Sequence, residues 1–282
     1  METINTIHEM KGRSAKVKSE GRSIGFVPTM GYLHGGHMSL VEKSVSSCDF
    51  TVASIFINPA QFGEGEDLDR YPQDLESDRK KLEAAGVDVL FLPRRETLYP
   101  EGHKTYVQVE SIVDHLCGKS RPGFFRGIAT VVLKLFNIVR PHKAFFGEKD
   151  WQQSVVVETL IRDLNLDVEL VRLPIVREPD RLAMSSRNAY LSGEERKSAL
   201  SLSQALEEAR GRVRAGERSA EKIRHGIKQH IEKENRAKVD YVSVCDPENF
   251  VERDEISGKT LIALAVHIGK ARLIDNCLIE RS

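Results

Sequence analysis

The run Pro28-Thr29-Met30-Gly31-Tyr32-Leu33-His34-Gly35-Gly36-His37 sets two imidazoles three residues apart among three glycines. On a helical turn that spacing puts both rings on one face. There they can donate hydrogen bonds to phosphate oxygens as charge builds in a transition state. Gly35 and Gly36 leave room for a phosphate or an adenine to approach the backbone. The N–H groups at a helix start favour anions. Read alone, the same residues also make a Gly-rich turn with two surface histidines. A zinc site lacks a third ligand nearby.

Three further segments carry side chains suited to small polar ligands. In Asn58-Pro59-Ala60-Gln61-Phe62-Gly63, Gln61 offers an amide donor and an acceptor, although an Asn-Pro turn ending a strand reads the same way. The acids that follow, Glu64, Glu66, Asp67 and Asp69, read as a solvated loop, and Asp78 is a candidate to hold Mg²⁺ through water. Arg121-Pro122-Gly123 leads towards Gly147-Glu148-Lys149-Asp150-Trp151-Gln152-Gln153. Lys149 is there a mobile point charge able to follow a phosphoryl group, and Gln153 lies one turn into a helix. A charged loop with a polar first turn is the plainer reading. In Val176 to Asn188, Met184-Ser185-Ser186-Arg187 sets two hydroxyls beside a guanidinium. That suits a triphosphate on a closing loop, or else a Ser-Ser helix cap. No Ser-His-Asp or Cys-His constellation is evident.

The elements that position these segments alternate. Ile24–Val27, Thr51–Ile57, Val87–Leu92, Ala144–Phe146 and Val168–Leu173 read as strands. His37–Ser47, Asp69–Ala85, a stripe from Ile128 to Val139 and Trp151–Leu164 read as helices. This predicts a Rossmann-like, doubly wound parallel sheet over residues 1–176. Glu194–Arg214 and Ala220–Lys233 read as helices, with short strands at Val239–Cys245, Leu261–Val266 and Leu273–Leu278. They predict a smaller α+β domain over residues 177–282, expected to close over the ATP site.

Composition narrows the function classes. The 282 residues are 40% apolar and 30% charged, as in an ordinary globular protein. Lys plus Arg, 42, equals Asp plus Glu, 42, so no global field attracts nucleic acid or an anionic membrane. The N-terminus shows no signal-peptide pattern, and no apolar run reaches the roughly 20 residues of a membrane span. Cys48, Cys117, Cys245 and Cys277 are widely spaced, which argues against a thiolate metal site or a disulfide framework. The expected compartment is the cytoplasm.

Taken in order, these segments resemble the pantothenate synthetase family of the nucleotidylyltransferase superfamily. Pro28 to His37 is similar to its HIGH-type motif. Asn58 to Phe62, Arg121 to Phe125, Phe145 to Gln153 and Met184 to Asn188 are similar to its other signatures, the last being a KMSKS-type loop. Val239-Asp240-Tyr241 and Arg272 to Asn276 add to the likeness, which spans essentially the whole chain. The resemblance implies that ATP and pantoate form pantoyl adenylate, which the amine of β-alanine converts to pantothenate and AMP. It implies an ATP site of Pro28 to His37, Gly147 to Asp150, Val176 and Met184 to Arg187, with His37, His34, Lys149 and Arg187 as the catalytic groups. It assigns pantoate to Gln61 and Gln153, with Gln61 also near β-alanine, counts Asn58 and Arg121 among the substrate-binding residues, and implies Mg²⁺ at the leaving pyrophosphate and a homodimer joined through the larger domain. Alternatives are a transferase of the same superfamily that keeps the nucleotide on its product, and a nucleotide-binding regulator without catalysis.

The chain departs from the family pattern at Gly36, usually Asp or Glu, at Phe124, usually His, and at Arg181, usually Gly. Phe124 removes a polar group near the expected substrate. Arg181 stands where a glycine is free to take a positive φ, so a change in the bend of the closing loop is expected.

Overall fold

Short apolar runs bounded by Pro, Asn and Gly are the origin of the central sheet. The computed structural model describes residues 1–281. Its elements divide between two packed units: Met1–Val109, Arg121–Glu148 and Gln153–Pro174 form the first, and Glu110–Ser120, Lys149–Gln152 and the chain from Ile175 onward form the second.

The first unit contains strands β1 (Glu2–Ile4), β2 (Ile24–Thr29), β3 (Phe50–Ile55), β4 (Val89–Phe91), β5 (Lys143–Gly147) and β6 (Glu169–Leu173). All neighbours pair in parallel, in the order β1-β4-β3-β2-β5-β6. From β2 the chain builds outward through β3 and β4, and β5 then starts on the other side of β2. The order therefore reverses between β2 and β5, where an open α/β sheet has a crevice at its strand carboxyl ends.

Helices cover both faces of this sheet. Val27, Ala53, Leu90 and Phe145, one from each of four neighbouring strands, pack with Leu40 and Val41 of α2 (after α1, Ile7–Ser19; α2, Gly35–Ser47) and Leu82 of α3 (Leu75–Ala84). Side chains alternate across a strand, so Phe26 points the other way. Its ring meets that of Phe136 edge-on at 6.4 Å. Phe136 belongs to α6 (Phe124–Val139), which follows the short helices α4 (Arg95–Leu98) and α5 (Leu116–Ser120). The expected doubly wound sheet is present.

Several boundaries differ from the sequence reading, each for a local reason. The helix expected from Asp69 starts at Leu75. Pro72 disfavours helical backbone at Tyr71, leaving a single 3-10 turn at Leu68–Arg70, and Asp74 caps α3 by accepting from the Ser77 N–H at 3.0 Å. β2 runs through Pro28 to Thr29, whose hydroxyl donates to the Ser54 carbonyl of β3 at 2.8 Å. β1 and α1 precede the first expected strand.

In the second unit, α8 (Gly193–Arg214) and α9 (Ala220–Ile231), after α7 (Trp151–Asp163), pack on an antiparallel sheet of β7 (Ala237–Cys245), β8 (Gly258–Ile268) and β9 (Ala271–Arg281). This is the small α+β arrangement expected. Gln152 explains why residues 149–152 and 110–120 pack here. Its buried amide accepts from the Cys117 N–H at 3.0 Å and donates to the Ile112 and His115 carbonyls at 2.9 and 2.8 Å. Trp151 and Asn276 add bonds to the Pro247 and Lys149 carbonyls, each donated from the side chain. Among the described residues, no helix is long and apolar enough to cross a membrane.

Candidate active site

The HIGH-type segment leaves β2 at the switch point and turns sharply before α2. Gly31 has φ 84° and Tyr32 φ 52°, two successive left-handed residues. A Cβ at Gly31 would lie 3.0 Å from Ile55 Cγ2 and 3.2 Å from Asp78 Oδ2, so both conformation and space call for glycine. The Thr29 hydroxyl accepts from the Gly31 N–H at 3.2 Å. Asp78, only 2% exposed, accepts from the Tyr32 and Leu33 N–H groups, both at 2.7 Å.

α2 starts at Gly35, two residues before the sequence reading, because His34 caps it. His34 Nδ1 accepts from the Gly36 N–H at 3.1 Å, and His37 Nδ1 accepts from the His34 N–H at 3.4 Å. The rings stack with centroids 4.0 Å apart. A nitrogen that accepts carries no proton, so a neutral ring bonded in this way holds its proton on Nε2. Both rings sit at the positive end of a helix. The expected pairing of His34 and His37 is realised by capping and stacking, and Gly36, where acid is usual, supplies the capping N–H.

Gln61 ends the 3-10 turn Pro59–Gln61 that follows β3. Its Oε1 accepts from Asn58 Nδ2 at 3.1 Å, and its Nε2 donates to Met30 Sδ at 2.9 Å. A thioether is a weak acceptor, so an oxygen ligand would serve that donor better. Asn58 is 1% exposed, and its amide donates to both Gln61 and the Gly127 carbonyl, the latter at 3.0 Å. Its Oδ1 accepts from the Ala60 N–H at 3.3 Å. Asn58, expected as a substrate contact, is bonded through its amide to the protein and orients Gln61.

Arg121 is likewise engaged within the first unit. Its guanidinium makes a two-pronged bond to Glu66 at 2.6 and 2.5 Å and donates to the Gln61 carbonyl at 3.2 Å. The same group lies 3.6 Å from the centroid of the Phe124 ring, a cation–π contact. Phe124 thus supports Arg121 where the family usually has histidine. Gly147 and Glu148 follow β5 on the other side of the switch point, and Gln153 is half-buried in α7.

In the second unit, Lys149 lies 3.7 Å from Asp150, and its side chain is 18% exposed. Val176 and Met184 bracket a small hairpin: the Met184 N–H donates to the Val176 carbonyl at 3.0 Å, and Arg177 pairs with Ala183. Arg181 sits in its turn with φ 77°, the left-handed bend a glycine would adopt. The arginine holds this left-handed conformation at a cost of about 1–2 kcal/mol. Arg177, bidentate to the buried Asp275 at 2.7 and 2.9 Å, also donates to the Arg181 carbonyl at 3.1 Å. Asn188 donates to Glu178 at 2.7 Å, and Arg196 donates to Asp180 at 3.0 and 2.7 Å. Burial opposes charge on Asp180, but the Arg196 hydrogen bonds outweigh it and hold the carboxyl below the usual range. The Ser185 hydroxyl accepts from the Arg187 N–H at 3.3 Å, capping the 3-10 turn Ser186–Tyr190.

The Asp78 carboxylate, expected to hold Mg²⁺, does not fit that role. Both oxygens of Asp78 already accept backbone N–H groups. No group of three or more His, Cys, Asp or Glu among the described residues is arranged to hold a metal.

A doubly wound parallel sheet with a glycine-rich, histidine-bearing turn at its switch point defines a Rossmann-like α/β protein. A family profile described as pantoate-beta-alanine ligase matches residues 2–278. Pantothenate synthetase of Acetivibrio thermocellus is 56% identical over 280 residues, covering 99% of this chain and 100% of that protein. The crystal structure of pantothenate synthetase from Thermus thermophilus superposes with a TM-score of 0.93 at 44% identity, covering 98% of this chain and 99% of that one. Pantoate-beta-alanine ligase from Francisella tularensis, complexed with beta-gamma ATP and beta-alanine, gives a TM-score of 0.81 at 33% identity, covering 99% and 97%. The chain belongs to the pantoate–β-alanine ligase family.

Sequence reasoning missed Gly127 and Gln152. A glycine inside an otherwise apolar helix was the available signal for the first. A Cβ there would lie 2.1 Å from the Ala60 carbonyl oxygen, so α6 and the Gln61 turn meet backbone to backbone. Gln152 stood in the sequence as one of two adjacent glutamines, with nothing to mark which would be buried.

Proposed function

We infer that the protein is an ATP-dependent ligase that joins pantoate to β-alanine. A pantoate carboxylate oxygen attacks the α-phosphorus of ATP, the bond to the β-phosphate oxygen breaks, and pyrophosphate leaves. The amine of β-alanine then attacks the acyl carbon, the acyl–oxygen bond of the adenylate breaks, and AMP departs as the nitrogen loses a proton. Neither step needs an enzyme nucleophile, so positioning and charge stabilisation carry the rate.

The observation that carries this reading is the capped start of α2, with two stacked histidines each accepting on Nδ1. In the proposed role, the Nε2–H of His37 stabilises triphosphate charge, with His34 beside it. Lys149 and Arg187 supply cations to the phosphates, and Pro28 to Gly36, Gly147 to Asp150, Val176 and Met184 to Ser186 bind the nucleotide. Gln61 and Gln153 bind pantoate, with Asn58 and Arg121 holding Gln61 in place. Mg²⁺ is proposed to arrive with the substrate, as MgATP. A homodimer joined through the first unit and a cytoplasmic location complete the proposal, both resting on resemblance.

Pantoate labelled with ¹⁸O in its carboxylate tests the chemistry. One labelled oxygen should appear in AMP once β-alanine is added. Unlabelled AMP, or a stable adenylylated product, would contradict the reading. His37→Ala and Lys149→Ala, both folded, should each lower pantoyl adenylate formation about a hundredfold or more. Near-normal rates in both would remove these residues from the site.

A further inference from the structure

We propose that Asp78 is a positioning residue for the nucleotide-binding turn, holding Gly31 to Leu33 in its bent form, and is not a metal ligand. The inference rests on the reading that Pro28 to His37 binds ATP.

Four observations support it. The turn contains two successive left-handed residues, Gly31 and Tyr32, the second of them not glycine. Left to itself such a backbone relaxes, because a left-handed L-residue costs about 1–2 kcal/mol. The Tyr32 and Leu33 N–H groups lie between β2 and α2, outside the sheet ladder and the helix. Asp78 takes one with each oxygen at 2.7 Å, the short distance of charge-assisted bonds, while 2% exposed.

Lys81, one turn further along α3, supplies the complementary contact by donating to the Leu33 carbonyl at 2.6 Å. Asp78 and Lys81 therefore grip both the donors and the acceptor of one short backbone stretch from a single helix. That helix is itself seated by Leu82, fully buried against the sheet. A carboxylate has about four lone-pair directions, but this one faces the turn and lies beside Gly31, where even a methyl group would come within 3.2 Å.

A metal ligand and a turn-holder differ most where there is no metal. A metal ligand cannot affect nucleotide binding in EDTA; a turn-holder must. The test measures the affinity of the full-length protein for a non-hydrolysable ATP analogue by calorimetry, in EDTA and again with saturating Mg²⁺. The variants are Asp78→Asn, Lys81→Met and His37→Ala, each checked for folding by circular dichroism. Asn keeps one acceptor but turns an NH₂ towards a backbone N–H. Asp78→Asn should weaken binding about tenfold in EDTA and by a similar factor with Mg²⁺. Lys81→Met should do the same two- to fivefold, and the Mg²⁺ concentration giving half-maximal turnover should stay within twofold of wild type for both.

Wild-type affinity in EDTA combined with a large shift in half-saturating Mg²⁺ for Asp78→Asn would overturn the inference in favour of a metal ligand. Wild-type behaviour in every assay would overturn it outright. Should Asp78→Asn fail to fold, Lys81→Met decides, because wild-type nucleotide affinity in that variant contradicts the paired grip. His37→Ala separates the positioning role from the site itself. Lost adenylate formation there with unchanged Asp78→Asn sinks only the positioning role. An indifferent His37→Ala sinks the site itself.

Discussion

Gly127→Ala is a one-carbon perturbation with a large expected effect. The added Cβ would sit 2.1 Å from the Ala60 carbonyl oxygen, 2.4 Å from its carbon and 2.7 Å from the Gln61 nitrogen. All three are backbone atoms, so no rotamer change relieves the clash. Reaching the 3.4 Å at which ordinary contact begins requires α6 and the Gln61 turn to part by about 1.3 Å. Overpacking of this kind costs about 1–3 kcal/mol, and the strained Asn58 bond to the Gly127 carbonyl adds about 1 kcal/mol. The better helix propensity of alanine returns about 1 kcal/mol. A net loss of about 2 kcal/mol should lower Tm by roughly 4–8 °C. A displacement of about 1 Å at Gln61 should also cost up to a hundredfold in kcat/KM for pantoate, with the KM for ATP changed far less. Thermal unfolding and steady-state kinetics with each substrate varied read both effects. Gly211→Ala is the control: it lies within α8 with nothing inside 4 Å of its added carbon, and it should leave Tm unchanged or raised. A Gly127→Ala protein with wild-type Tm and wild-type pantoate kinetics would refute the close backbone contact and the part Gln61 has in it.

Arg181→Gly should raise stability by about 1 kcal/mol in urea unfolding, because glycine takes φ 77° without strain; Arg181→Val should lower it. Phe124→His should keep turnover within a few-fold, since a planar ring still lies under Arg121, whereas Phe124→Ala removes the stack and should raise the KM for pantoate. Arg177→Ala strands the buried Asp275 carboxylate and should destabilise the second unit by about 3–5 kcal/mol, measured by denaturant unfolding. The carboxyl of Asp180 is depressed in the folded state, so its contribution is complete above the ordinary aspartate value and is lost as pH falls through the folded one. Removing it by Asp180→Asn should therefore lower stability at pH 7, and the difference from wild type should shrink as pH falls below the ordinary aspartate value.

The sheet was legible because each central strand is a short β-branched or aromatic run stopped by Pro, Asn or Gly. The cap at His34 was not, because histidine is an unusual N-cap residue and only the folded turn brings its Nδ1 to Gly36. α1 carried a readable Thr6-x-x-Glu9 capping pattern, yet its buried stripe of Met10, Ser14 and Val17 contains a serine and so lacks an apolar period. Asp78 illustrates the limit for site residues. Its type and placement are compatible with a metal ligand or a backbone clamp. The distinction lies in where two N–H groups 45 and 46 positions earlier end up. Asn58 and Arg121 stood out in the sequence by their motifs, but their partners, Gly127 and Glu66, come from outside those motifs. The three family departures were visible at once, while their accommodation, by a capping N–H, a ring under Arg121 and a strained turn, depends on three-dimensional neighbours.

The most direct test of the central claim is pyrophosphate release in a single turnover with ATP and Mg²⁺, with pantoate present or absent and β-alanine withheld. The account predicts a burst of pyrophosphate only when pantoate is present, with free AMP and pantothenate following when β-alanine is added. Release that does not depend on pantoate, or no release by a protein that binds ATP, would contradict it.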